Sequence, residues 1–415
     1  MMTSRERVLK AVTHEQPDRV PVDLGSTPSS GISAIAYNRL KNHIKINPGP
    51  TRIYDIVQQL AQPDDALLDF LAIDVIDIGR VFKNNPTAWR DVQLADRSLA
   101  QEPSAFRIEK QNDGSRRAFS KDGTWIATMP ANGTFFDQAC YPYENSYPSE
   151  LTDLPAAMQK VLWAALTHSP WDHLGDKDFW ITLRNKTQAL RYSTDKALMV
   201  NCGCNLFEWG AFLRRIDNFL TDLLVDTENV KKLVDTLLQQ HLAFLEKVCS
   251  SVGDLVDICR FGDDLGMNSG PFMAPDTYQE LFKPGHKILC DYVHSHSKMH
   301  TFLHSCGSIY KLLPDLIDAG FEIINPVQTS SADMNPIRLK QEFGRHITFW
   351  GGGCDTKTIL NMATPAEVKA HVLERLEIFA PQGGFVFNPI HNILPEVPPE
   401  NIMAMFAAIW EFNGE

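Results

Sequence analysis

No stretch of the chain approaches the roughly 18 consecutive apolar residues that a membrane-spanning helix requires, so no association with a membrane is expected. No dense run of lysine and arginine occurs either. The 39 basic residues are outnumbered by 51 acidic ones, for a formal net charge of -12. Nucleic-acid binding needs a basic face to neutralise phosphates and is set aside on that ground. The opening Met1-Met-Thr-Ser-Arg-Glu-Arg7 carries charges and no apolar stretch with a small-residue cleavage site, so it does not read as a signal peptide. The cytoplasm is the expected location. Cysteine is sparse, 8 in 415 residues, and no C-x-x-C pair is followed by a second. In a large cytoplasmic chain such cysteines are buried thiols or metal ligands, not a disulfide framework. No G-x-G-x-x-G or Walker A sequence follows any predicted strand, so the usual fingerprints of nucleotide binding are missing.

What remains is an ordinary globular composition, 44% hydrophobic and 22% charged, with ample material for a large core. Residues 3–13 pattern as an amphipathic helix. Residues 19–24 read as a short buried strand that runs into the turn-rich segment 25–31. Between about 81 and 140 the text changes. Short alternating runs at 106–110, 117–120 and 124–128 are separated by Asn112-Asp-Gly114 and Asp122-Gly123, which are strong hairpin signals. This stretch reads as an antiparallel β-hairpin insertion in the N-terminal half.

From residue 197 the rhythm is regular. Apolar runs at 197–202, 255–259, 298–303, 322–325, 347–350 and 385–388 are each followed by a helical pattern, the helices falling at 207–226, 275–294, 309–319, 337–343, 365–380 and 399–412. Apolar strands alternating with helices signal a parallel sheet covered on both faces. With strands near residues 20 and 74 the total is about eight, the number that closes a (β/α)8 TIM-type barrel of the α/β class. The chain is therefore read as one barrel domain over 1–415 with the insertion at 81–140 inside it. A doubly wound open sheet is the alternative.

In such a barrel the chemistry collects where the strands end. His304 and Cys306 stand out there. Alternate residues at a strand end point the same way, and imidazole and thiolate are zinc's preferred ligands. A buried histidine beside a buried thiol also occurs without any metal. Further donors at neighbouring strand ends, Cys354 and His391, favour the metal. Ligands gathered from several strand ends suggest an open catalytic zinc site, not a closed structural one. Asp263 and Asp264 are candidate catalytic acid/base groups or partners for a substrate cation, although either would serve equally as a cap. Cys202, Asn205, Asn325 and Gln328 stand at other strand ends as candidate substrate-binding residues. Cys202-Gly-Cys204 reads more simply as small residues packing a strand end. His294, His296 and His300 lie at the opposite end of the barrel, where surface or helix-terminal roles are expected.

The chain carries Gly262-Asp-Asp-Leu-Gly266, Gly270-Pro271, His304-Ser-Cys-Gly307, Asn325-Pro-Val-Gln328, Leu339-Lys340 with Phe343-Gly344, and Phe349-Trp-Gly-Gly-Gly353. It ends in Asn388-Pro-Ile-His-Asn392 and Pro398-Pro-Glu-Asn401, and begins with Arg5-Glu-Arg-Val-Leu9 and Asp18-Arg-Val-Pro-Val22. In these motifs it resembles the uroporphyrinogen decarboxylase superfamily, most closely its zinc-dependent methyltransferase branch. The resemblance covers most of the chain and is weakest over 81–170. The decarboxylases themselves carry an arginine-rich segment after the first strand that grips the acidic arms of a porphyrinogen. Here residues 23–31 hold no arginine and the next is Arg39, so a polycarboxylate would be poorly held. In the methyltransferase branch the zinc pattern is His-x-Cys followed much later by a cysteine. His304 and Cys306 match its first part. The late cysteine falls where His391 stands, and Cys354 is one strand earlier, so His391, Cys354 or both complete the site. A carboxylate that completes the resting site in those relatives falls near Val327 and Gln328 and is absent or replaced.

The function this implies is transfer of a methyl group between a small methylated compound or thiol and a corrinoid. No D-x-H-x-x-G corrinoid-binding sequence occurs here, so the corrinoid (cobalamin) has to arrive on a separate protein. Two other readings stay open. One is a metal-independent decarboxylase or lyase of a small carboxylic acid using Asp263 or Asp264. The other is a non-catalytic ligand-binding barrel. A monomer and a homodimer are both compatible with the sequence.

Overall fold

A computed structural model describes residues 2–46, 49–82 and 85–414. Its centre is a parallel sheet built from Val75–Asp77 (β2), Ala197–Gly203 (β3), Ile258–Gly262 (β4), His300–His304 (β5), Ile323–Asn325 (β6), Thr348–Trp350 (β7) and Phe385–Val386 (β8), joined by the segment 20–24 (β1), which pairs through an isolated bridge at Val22. Strands β2 to β8 pair in sequence order, each parallel to the next. β1 closes the ring. Val22 bridges Phe387 in parallel, the Asp23 N–H donates to Phe387 O at 2.9 Å, and the Asp74 N–H donates to Val22 O at 2.8 Å. β1 therefore stands between β8 and β2, and the α/β fold is a (β/α)8 TIM-type barrel.

Strand alternation sorts the side chains into two cores. One set points inward: Val75, Ala197, Met199, Ile258, Phe302, Ile323, Trp350 and Val386 fill the barrel together with Val8, Ala11 and Val12. Those last three belong to the N-terminal helix Ser4–Val12 (α1), which starts at a capping box between Thr3 and Glu6. α1 plugs the N-terminal end of the barrel. Buried Asp74 fixes it there, accepting from Arg7 Nη1 at 2.8 Å and from Arg19 Nη2 at 3.0 Å. The other mouth, at the strands' carboxyl ends, is left as the route into the barrel. The second core lies between the strands and the outer helices and includes Cys259, Phe261, Leu303, Phe349 and Cys354.

The expected elements shift where local chemistry intervenes. The strand read at 255–259 starts at Ile258, because Asp257 is held on the N-terminal rim by Arg5 and Arg191 at 2.8 and 2.6 Å. The helix read at 207–226 breaks at Arg215, whose φ is 68°, into Phe207–Arg214 (α2) and Ile216–Val225 (α3). A further helix, Thr227–Val252 (α4), follows, and its 26 residues were not anticipated. Between β2 and β3 lies the antiparallel insertion. Trp89–Gln93 pairs with Leu99–Pro103, and Arg107–Lys110, Arg116–Phe119, Trp125–Met129 and Asp137–Gln138 form a four-stranded sheet. Lys83 and Asn84 of this stretch lie outside the described residues. Gly114 and Gly123 take the positive φ values, 86° and 88°, that its hairpin turns require. Among the described residues, no helix is long and apolar enough to cross a membrane.

Candidate metal centre

His304 is the last residue of β5, and its side chain points into the barrel mouth. Cys306 follows on a turn that is tied down on every side. The Leu265 N–H donates to Ser305 Oγ at 3.0 Å, the Cys306 N–H to Asp264 Oδ1 at 2.8 Å, and the Gly307 N–H to Gln328 Oε1 at 2.9 Å. Gly307 has a φ of 81° and packs so closely that an added Cβ would lie 2.3 Å from Gly266 O. Only glycine fits there. His391 arrives from the loop after β8, with a φ of 66°. One donor atom each from His304, Cys306 and His391 falls within 4.8 Å of the others. Cys306 Sγ is 3.4 Å from His304 Nε2, and the two imidazole centroids are 5.5 Å apart.

The orientation of His304 is fixed from behind. Its Nδ1 lies 2.7 Å from Asn325 Oδ1. The Asn325 amide cannot turn round, because its Nδ2 donates to Trp350 O at 2.9 Å and to Asn388 Oδ1 at 3.1 Å. Ser29 Oγ donates to the same Asn325 Oδ1 at 2.8 Å. Asn325 therefore presents an acceptor, His304 carries its proton on Nδ1, and the Nε2 lone pair faces Cys306. This is the outer support a metal-ligating histidine needs.

The electrostatics suit a divalent cation. Burial lowers the His304 pKa well below its usual value, and Arg260 and His391 push the same way. Burial also lowers that of His391. Burial raises the Cys306 thiol pKa well above its ordinary value, reinforced by the carboxylates of Asp264 and Glu208. At neutral pH the three donors are two neutral imidazoles and a neutral thiol. Neutral imidazoles bind a metal without losing protons, and a coordinated thiol gives up its proton. Two nitrogens and one sulfur from two strand ends fit a zinc site with an open position.

The remaining candidates part company. Cys354 is not in the cluster: it is fully buried in the outer core, and its thiol points toward Asp355 O at 3.9 Å. The reading of Cys354 as a ligand is corrected on that geometry. Asp263 is also corrected. Its buried carboxylate accepts the N–H groups of Leu206, Phe207 and Glu208 at 3.0, 2.9 and 2.7 Å and lies 3.1 Å from His286 Nε2. It caps α2, and its four hydrogen-bond contacts, with its full burial, tie it to that role. Asp264 stays at the site, half-buried, with Oδ1 3.5 Å from His304 Nε2. Cys202 faces the outer layer, 3.6 Å from Cys259 Sγ, and does not face the mouth. Asn325 and Gln328 hold protein, not substrate: the Gln328 amide spans Gly307 N–H and Asn268 Oδ1. Asn205 reaches the mouth, where its Nδ2 donates to Glu208 Oε2 at 2.5 Å.

Two charged residues at the mouth were missed. Glu208 sits in the first turn of α2. Burial raises its carboxyl pKa well above the ordinary value, and Asp264 and Asp263 add to the rise. Arg260 lies on β4 between Cys259 and Phe261, which both face outward, so it faces in. The signal was in the sequence: a charged residue in the middle of the otherwise apolar run Ile258-Cys-Arg-Phe-Gly262.

The family model for uroporphyrinogen decarboxylase (URO-D) matches residues 204–412. Among solved structures, a methyltransferase from Methanosarcina mazei is 18% identical, covers 99% of both chains and superposes with a TM-score of 0.59. A B12-independent methionine synthase from Shewanella sp. W3-18-1 in complex with selenomethionine is 10% identical, with 84% of this chain and 83% of that one covered, at a TM-score of 0.39. No curated protein matches the sequence. The first likeness shows a common fold over the whole length.

Proposed function

Because the chain belongs to the uroporphyrinogen decarboxylase (URO-D) family, we propose that it is a zinc-dependent methyltransferase that moves a methyl group between a small methylated compound or thiol and a corrinoid carried by a separate protein. The observation that carries this reading is the convergence of His304, Cys306 and His391 donors within 4.8 Å at the barrel mouth. A zinc ion on these residues supplies Lewis acidity, enough to hold a thiol as its thiolate or to polarise the heteroatom of a methylated donor. The chain's own groups prepare that position. Asn325 sets the His304 tautomer. Asp264 and Gln328 hold the Cys306–Gly307 turn. The absence of arginine over residues 23–31 argues against a porphyrinogen substrate. The likeness to the Methanosarcina mazei methyltransferase supports methyl transfer as the reaction class.

The test uses purified protein loaded with zinc. Free methylcobalamin is mixed with candidate thiols, or reduced cobalamin with candidate methyl donors, and the visible spectrum is followed with and without chelator. A zinc-dependent change in the corrinoid spectrum is expected. No zinc uptake, or no zinc-dependent change with any donor or thiol, overturns the proposal. A second reading, a metal-independent decarboxylase or lyase, draws on Glu208, whose buried carboxyl stays protonated well above the ordinary range and so suits a general acid. Stoichiometric zinc that is lost in Cys306→Ser decides against it.

A further inference from the structure

The barrel mouth holds a cation that makes no hydrogen bond or ion pair among the described residues. Arg260 rises from β4 inside the barrel, one layer above Ile258. Gly262 opens its path: a Cβ there would lie 3.1 Å from Arg260 Nη1 and 2.9 Å from Asn205 Nδ2. Arg260 Nε is shut off from solvent and meets no hydrogen-bond partner. Glu208 and Asp264 are close enough to act on the guanidinium, but among the described residues neither forms an ion pair with it. Other polar atoms in the same mouth are orphaned too. Tyr54 Oη and Asn388 Nδ2 are buried donors without partners, and Asn201 Oδ1 is a buried acceptor without one. Tyr54 lines a cavity with Gly25, Gln62, Asp77, Gly79, Arg80 and Ser169.

Buried polar groups are normally satisfied, and a buried unpaired charge costs far more than a buried amide. A guanidinium kept in that state is a receptor for an oxyanion, which it binds through a planar fork of donors. The orphaned donors outnumber the acceptor, which also calls for an acceptor-rich ligand. We propose that Arg260 binds the carboxylate of a small organic substrate and so positions the rest of that molecule toward His304, Cys306 and His391. This rests on the proposed methyltransferase reading for what happens at the far end of the substrate, but not for the binding itself. One half-buried guanidinium suits a single carboxylate, in keeping with the lack of arginine over residues 23–31.

The experiment measures binding of benzoate and acetate, with benzamide and acetamide as neutral controls, by calorimetry on the full chain. It is run with zinc bound and after chelation, for the natural sequence, Arg260→Met, Arg260→Lys and Cys306→Ser. The carboxylates are expected to bind and the amides not to. Arg260→Met is expected to weaken carboxylate binding by about tenfold or more, the usual effect of losing a charge-assisted pair. Arg260→Lys is expected to fall between. Because Arg260 is unpaired in the free protein, Arg260→Met is also expected to melt at a higher temperature than the natural sequence without ligand. Carboxylate binding that survives Arg260→Met, or that vanishes in Cys306→Ser and on chelation, is metal coordination and overturns the proposal. So does a failure of either carboxylate to bind. A protein that takes up no zinc but binds benzoate through Arg260 retains this inference and loses the methyltransferase reading.

Discussion

Asn325→Ala isolates the support of the metal site from the ligands themselves. The substitution removes the acceptor 2.7 Å from His304 Nδ1 and touches neither Cys306 nor His391. Without it His304 is free to rotate and to place its proton on either nitrogen. Loss of such an outer partner lowers metal affinity by about 10–100-fold, or roughly 1.4–2.8 kcal/mol. The pH dependence supplies a second number. His304 and His391 are neutral at pH 7 because burial lowers both pKa values, while the Cys306 thiol stays protonated because burial raises its own. Zinc uptake therefore displaces about one proton, from sulfur, and log K rises by about one per pH unit between pH 6.5 and 8.

The assay is a zinc competition titration against a chromophoric chelator, repeated across that pH range for the natural sequence, Asn325→Ala and Asn325→Asp. Asn325→Asp keeps an acceptor for His304 while losing the donors to Trp350 O and Asn388 Oδ1. It should bind zinc at least as well as the natural protein and melt lower. The reasoning fails if Asn325→Ala binds zinc as tightly as the natural sequence, or if a slope near two persists in Glu208→Gln, which would mean a histidine had been charged.

Other expectations follow from the same geometry. Cys354→Ala should leave zinc stoichiometry unchanged, whereas Cys306→Ser should abolish it; loss of metal in Cys354→Ala would restore Cys354 as a ligand. Gly307→Ala forces a Cβ to within 2.3 Å of Gly266 O at a positive φ, so the turn must shift. Reduced zinc affinity and about 1–3 kcal/mol lower stability are expected by chemical denaturation. Burial depresses the His241 pKa from 6.5 to about 4. Between those values the unfolded chain binds a proton that the folded chain does not, so stability falls as pH drops from 6.5 to 4, by up to roughly 3 kcal/mol from this group. Denaturant titrations of the natural sequence and His241→Gln across that window should show the variant losing less. Asp74→Ala removes the buried carboxylate that Arg7 and Arg19 share at the barrel base, while Arg7 keeps Asp18, and its expected cost is about 1.5–3 kcal/mol; a smaller loss would show that α1 is held by its apolar face alone.

The barrel was legible because its signal is repeated: apolar strands and helices in alternation leave few other architectures. The His304 and Cys306 pair was legible because it sits at a strand end with spacing of two. The errors have a common cause. Strand ends list residues that are near the mouth along the chain, but alternation and loop direction decide which ones face it. Cys354 and Cys202 are at strand ends and face the helices. Asp263 and Asp264 are neighbours with opposite fates, one turned back to cap α2 and the other turned toward the metal ligands. The end of α2 was misplaced because helical periodicity continues past Arg215, where the backbone takes a positive φ.

Arg260 and Glu208 escaped notice because neither belongs to a motif of metal or acid/base chemistry, yet they set the charge of the site. Without metal, the mouth holds one guanidinium, the Asp264 carboxylate, the Glu208 carboxyl with its pKa raised by burial, and three neutral ligands. Zinc adds two charges and removes one proton from Cys306, so the mouth becomes more positive by one. In a partly desolvated pocket that excess is costly. It can be relieved by ionisation of Glu208 or by a bound anion. The first route makes Glu208 a proton reservoir that responds to the metal, with no change of fold. The second makes metal and anion mutually favourable, a coupling that must be reciprocal. Both routes follow from placing Arg260 where the strand pattern alone predicts an apolar side chain. The residue that breaks the barrel's own packing rule therefore sets the electrical requirement that any substrate of this site has to meet.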